Sequence, residues 1–169
     1  MKKLLVTLTV IGVMSCQQPA KMAYVDNVKL LDEYQEKMDI EAKFNAKVDA
    51  MTKKKDSISQ AFQLEAQAFQ AKAQGMSQKK AQEEYGIIQQ KGQFIGQQLQ
   101  QEEQQIQQEG RTEMDSLVSK VKKEIKTFGK AQGYNYILGG GEGGAVLYGS
   151  ETDDITDEIL KILNDKYKK

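Results

Sequence analysis

Between about Ile40 and about Phe128 the apolar residues recur at steps of three, four and seven. On a first run they are Ile40, Phe44, Val48, Met51, Ile58, Phe62, Phe69, Ala73 and Met76. On a second they are Ala81, Tyr85, Ile88, Ile95, Leu99, Ile106, Leu117, Val121, Ile125 and Phe128. Such steps place side chains on one stripe of an α-helix. A stripe this narrow, sustained over many turns and with no proline, is the seam of a coiled coil. The two runs meet at Gln74-Gly75-Met76-Ser77, which predicts a reversal. Gly75 suits the left-handed conformation that ends a helix, and Ser77 suits the cap of the next. The prediction is an antiparallel helical hairpin over residues 40–128, with arms of roughly 50 Å or more.

The flanks carry a different pattern. Met22–Asp26 reads as a short strand, followed by a helix over Val28–Tyr34 with Asn27 as its cap. After the second arm, which ends near Gly129 or Gly133, Tyr134–Leu138 and Ala145–Tyr148 are β-rich. Asp154 then caps a last helix with the apolar stripe Ile155, Ile159, Ile162 and Leu163. The fold class is α+β: a long helical hairpin on a small three-stranded body, made from residues 22–39 and 129–169, with a C-terminal helix. A body of this size is near the lower limit for a self-sufficient core, so oligomerisation is expected. Three copies would bring nine strands together and close the exposed edges.

Gly139-Gly140-Gly141-Glu142-Gly143-Gly144 fits a nucleotide-binding glycine pattern. Such a site needs the loop to open a helix. Here the loop leads into a β-rich run, so a flexible hairpin connection is the reading.

Composition narrows the chemistry. The 169 residues hold 24 cationic and 24 anionic side chains, no histidine, no tryptophan and one cysteine. A zero formal charge argues against nucleic acid as a partner. One cysteine and no histidine exclude the usual metal sites. No cofactor is expected, and no serine or carboxylate pair has a catalytic setting, so the chain is read as a non-enzyme.

Lys2 and Lys3, then an apolar run over Leu4–Val13, form an export signal too short to span a bilayer. Val13-Met14-Ser15-Cys16 resembles the acylation site of bacterial lipoproteins, with Met14 looser than usual. Residues 1–15 are thus read as a signal peptide, Cys16 as a lipidation site that holds the chain to a membrane, and residues 16–21 as a tether. Loss of the leader removes Lys2 and Lys3.

At this point the chain resembles the OmpH/Skp-like periplasmic chaperones. The resemblance is carried by Ala23-Tyr24-Val25-Asp26, by Tyr136-Ile137-Leu138 with Ala145-Val146-Leu147-Tyr148, and by Asp154–Lys161. The order of parts around the long hairpin matches as well. The resemblance implies a homotrimer whose tentacles surround a cavity, holding unfolded outer-membrane proteins in the periplasm without ATP. Two departures are a near-neutral charge, where the best-known members are strongly basic, and the lipid anchor. The competing reading is a coiled-coil scaffold lipoprotein of the envelope.

Leu64, Ile87 and Phe94 fall off or at the margin of the seams, and Met76 lies at the tip. These four are the candidate client contacts; the plainer alternative is a wider seam that packs them. Gly86, Gly92, Gly96 and Gly110 interrupt the second arm, either softening it or admitting a close helix approach. The glutamine-rich run around Gln97–Gln108, with Lys53-Lys54-Lys55 and Lys79-Lys80, reads as solvated helix face.

Overall fold

The computed structural model describes residues 20–168. The export signal and Cys16 lie outside them. Strand β1 (Met22–Asp26) leads into a short helix α1 (Asn27–Asp32). Helices α2 (Gln35–Ala73) and α3 (Gln78–Gln132) form the hairpin. Strand β2 (Tyr136–Gly140) and helix α4 (Thr156–Tyr167) complete the body. Among the described residues, no helix is long and apolar enough to cross a membrane.

The hairpin is inserted between two paired strands. β1 and β2 run parallel, with Met22 opposite Tyr136 and Asp26 opposite Gly140. Parallel strands need a long crossover, and α2 and α3 provide it. The body is closed by α4. Its Ile159 and Leu163, with Ile155 just before it, are buried against Ala23, Val25, Leu30, Tyr34, Leu117 and Val121. α3 runs past the start of α2 into this core, so one helix of 55 residues, about 80 Å long, links body to tip.

Local chemistry sets most of the boundaries. Ser77 Oγ accepts from the Lys80 amide, as predicted. Gly133 takes a left-handed conformation (φ 73°) and ends α3, while the Tyr134 amide donates back to the Gly129 carbonyl. The Asp154 carboxylate accepts from the Thr156 amide at 2.9 Å and so caps α4. Asp26 rather than Asn27 caps α1, accepting from the amides of Val28 and Lys29. The chain bends at Glu33-Tyr34 between α1 and α2, because Tyr34 is pulled fully into the core.

Three expectations need correction. Gly75 is not left-handed: the reversal is made by residues in ordinary backbone regions, with the Gly75 amide donating to the Lys72 carbonyl at 3.1 Å. The body has two strands rather than three. Ala145–Tyr148 forms no ladder, and only an isolated parallel bridge between Tyr24 and Asp154 extends the sheet. The glycine loop, finally, is a folded turn and not a loose connection. Gly141 is left-handed (φ 80°), and the amides of Ala145 and Val146 both donate to the Gly139 carbonyl. A Cβ on Gly144 would lie 2.6 Å from the backbone of Gly140, so this turn closes only with glycine there.

Candidate functional site

The arms pack through a thin seam. Met51 is buried, but Phe44, Ile58, Phe62, Phe69, Ile88, Ile95, Leu99 and Ile106 are only half-covered. Val48 and Tyr85, placed on the seam by periodicity, are exposed. Aromatic side chains supply much of the contact. Phe69 stacks on Tyr85 with ring centroids 6.2 Å apart. Phe62 covers Gly92, and Phe44 covers Gly110.

Ion pairs bridge the arms along one stripe. Glu36 pairs with Lys120, Lys43 with Glu113, Lys47 with Glu109, Lys54 with Glu102 and Glu65 with Lys91, each at 2.5 Å. Along α2 the steps are seven, four, seven and eleven residues. Along α3 the same steps run in reverse. A one-turn slip of either arm would break all five pairs and, among these residues, bring only Lys43 to Glu109, or Lys47 to Glu113, in their place. Exposed pairs contribute little stability singly, so their effect here is on register. Lys54 and Lys55, read from sequence as solvated, are both tied to α3, through Glu102 and Glu103. This ladder was missed in the sequence. The mirrored spacing of lysines and glutamates about the Gly75 turn was the signal that could have revealed it.

Electrostatics are strongest where the arms enter the body. Burial pushes the Glu36 carboxyl upward, but hydrogen bonds from Lys120 and from the Tyr34 hydroxyl outweigh it and hold Glu36 below the usual carboxylate range. Burial, and then the bond to Glu36, raise the Tyr34 phenol well above its ordinary value. The Tyr167 hydroxyl of α4 donates to Asp39 at 2.9 Å, and its ring meets Tyr34 edge-on. Farther out, the bond from Lys47, helped by Gln105, lowers the Glu109 carboxyl.

The outer half of the hairpin has a different surface. Leu64 is 66% exposed, Ile87 64% and Phe94 59%. Ile87, Lys91 and Phe94 follow one another at steps of four and three, on one stripe of α3. Lys91 bonds Glu65, the neighbour of Leu64. Ile87 and Phe94 thus flank Lys91 of this ion pair along α3, and Leu64 adjoins Glu65 in sequence. Ile87 also lines a shallow groove of about 260 Å³ with Ala68, Phe69 and Ile88. A second groove, of about 400 Å³, opens where Gly92 and Gly96 leave Phe62, Ile95 and Leu99 uncovered. Met76 is half-buried at the tip and apart from this cluster. In the glutamine run, Gln98, Gln101 and Gln105 line a long interarm groove of about 730 Å³, and the rest face outward from it.

A second exposed apolar group lies on the body. Leu147 is 99% exposed and Tyr148 93%, in the segment that forms no strand. Met22, Tyr136 and Leu138, on the outer side of the two-stranded sheet, are exposed as well.

Comparison with known proteins gives one consistent answer. The model of a family described as outer membrane protein (OmpH-like) matches residues 21–163. A crystal structure of an OmpH-like protein from Caulobacter crescentus CB15, assigned as an outer membrane chaperone, superposes with a TM-score of 0.77. That match covers 87% of this chain and 85% of the other at 15% sequence identity, a likeness of fold. No match was found among curated proteins.

Proposed function

This chain belongs to the OmpH-like family of outer membrane proteins, and from that premise we propose that it is an ATP-independent holdase for unfolded outer-membrane or envelope proteins. One observation carries the reading: a hairpin joined across its arms by ion pairs holds Leu64, Ile87 and Phe94 out in water. Folding gains nothing from that exposure. A surface that must touch many unfolded chains, loosely and reversibly, does gain from it. Client contact is assigned to these three residues and to Met76 at the tip.

The holding unit is a homotrimer. Support comes from the body, whose two-stranded sheet is too small to stand alone and has open edges. Leu147 and Tyr148 are also fully presented to solvent, with no partner in their own chain.

The protein works in the cell envelope, tethered through acylated Cys16. Lys21, five residues after that cysteine, is pinned at the far end of the body. Its amide donates to the Asn135 side chain, and its Nζ donates to the Gln132 carbonyl at the end of α3. A lipid at Cys16 would hold this end at the membrane and leave the tips directed away from it.

The test is to dilute an unfolded outer-membrane β-barrel protein into buffer with the leaderless chain and without nucleotide. Near-stoichiometric amounts should suppress its aggregation. A scaffold lipoprotein would leave aggregation unchanged and retain one folded partner instead. Radiolabelled fatty acid incorporated by the full chain, and lost in Cys16→Ser, tests the anchor separately.

A further inference from the structure

Charge is distributed unevenly along the hairpin. From Ser57 to Leu99, around the tip, seven of 43 residues are charged. In the helical residues on the body side, 35–56 and 100–132, 23 of 55 are charged. The outer half is instead rich in glutamine and alanine. Its seven charges nearly balance: Lys72, Lys79, Lys80 and Lys91 against Glu65, Glu83 and Glu84. One of these pairs, Glu65 with Lys91, is already joined across the arms. The exposed apolar residues follow the opposite distribution. Leu64, Tyr85, Ile87 and Phe94 lie in the outer half, and only Met38 and Val48 stand out on the body-side arms.

A client held by charge would meet a surface with almost no net field. Lys43, Lys47, Lys54 and Lys55 of the body side are each engaged by a glutamate of the other arm. At those four lysines, capturing an acidic segment would mean breaking a pair already made. Apolar contact in the outer half meets no such competition. A hydrated but uncharged glutamine surface keeps the arm soluble without repelling client of either sign.

We propose that the outer half of the hairpin, around Leu64, Ile87 and Phe94, takes uncharged apolar and aromatic segments of an unfolded chain by dehydration, independently of salt. This rests on the holdase reading and names the class of segment it selects. The occupant is an extended stretch carrying leucine and phenylalanine spaced by neutral polar residues. Acidic segments of the client are not taken there.

Two labelled peptides of equal length test this on the intact leaderless chain. One has leucine and phenylalanine spaced by glutamine; its counterpart has glutamate at the glutamine positions. Fluorescence anisotropy is read at about 20 mM and about 500 mM sodium chloride, where screening of exposed charges differs severalfold in range. The neutral peptide should bind within about twofold of the same affinity at both salts, and the acidic one about tenfold more weakly. Replacing Leu64, Ile87 and Phe94 together by glutamine should weaken the neutral peptide by at least about tenfold. Met38→Gln with Val48→Gln, the exposed apolar pair of the body-side arms, should leave it unchanged. Preference for the acidic peptide, or a tenfold loss of the neutral one at high salt, overturns the inference. So does failure of the neutral peptide to bind. The salt and charge arms decide the matter on the unaltered chain even where the triple variant misfolds. The holdase reading stands or falls separately, on aggregation of the unfolded barrel protein.

Discussion

The ring of Phe62 closes over the backbone of Gly92, so that a Cβ built on the glycine would lie 2.9 Å from Phe62 Cζ. Gly110 sits under Phe44 less tightly, where a Cβ would lie 3.4 Å from Phe44 Cδ1, near ordinary contact. A methyl group added at Gly86 or Gly96 would meet nothing within 4 Å. The four glycines of α3 therefore serve two ends. Gly92 and Gly110 are seats for aromatic rings, and Gly86 and Gly96 lower helix stability without a packing return.

That division predicts opposite responses to alanine. Gly86→Ala and Gly96→Ala should each stabilise the arm by about 0.5–1 kcal/mol, the helix-propensity difference. Amide exchange around residues 86–98 should slow accordingly. Gly92→Ala should gain less than either or lose stability, because the Phe62 ring must move. Equal gains at all three sites would show that the ring seat has no energetic role.

The body should be far less tolerant. Ile159 is fully buried in the core between α4 and β1. Ile159→Ala should cost about 2–5 kcal/mol, by lost burial and the cavity left behind. Thermal denaturation followed by circular dichroism would register this as an early loss of the body, with much of the arm helicity remaining.

The junction predicts a pH dependence. Glu36 titrates below its ordinary value of 4.5 in the folded chain. Its contribution to stability is therefore complete above that value, and fades as pH falls through the lower folded value. Denaturant midpoints should fall below about pH 4.5. Glu36→Gln should flatten that part of the profile. Tyr34→Phe removes one of the two bonds that lower Glu36, and should shift the fall to higher pH.

Association should depend on the exposed pair of the body. Sedimentation of the leaderless chain should give three times the monomer mass. Leu147→Ser with Tyr148→Ser should reduce it to the monomer and leave helix content intact, since neither side chain packs in its own chain. An unchanged mass would remove these residues from the interface.

Much of the architecture was legible because helical phase is a local property. The spacing that put Phe62 and Ile95 on a seam also put Leu64, Ile87 and Phe94 off it, and the structure leaves those three exposed. Ser77 and Asp154 were readable as caps for the same reason, since each bonds an amide two or three residues away. What was hidden depends on distant partners. The composition of Ala145–Tyr148 is right for a strand, but pairing needs an edge from elsewhere. The bend at Glu33-Tyr34 comes from burial of Tyr34 among residues of α3 and α4, which no local pattern announces. The ion-pair ladder required knowing which lysine faces which glutamate across a turn.

The parallel pairing of β1 with β2 also sets an order of events. Met22 must wait for Tyr136, and Ala23 and Val25 for the last helix, so the body cannot close until nearly the whole polypeptide has been made. The two arms need only each other and a short reversal. They can zip together while the ribosome is still finishing the remainder. The hairpin that carries Leu64, Ile87 and Phe94 is thus complete before the body, and a truncated product would have the rods without the closing strand and last helix.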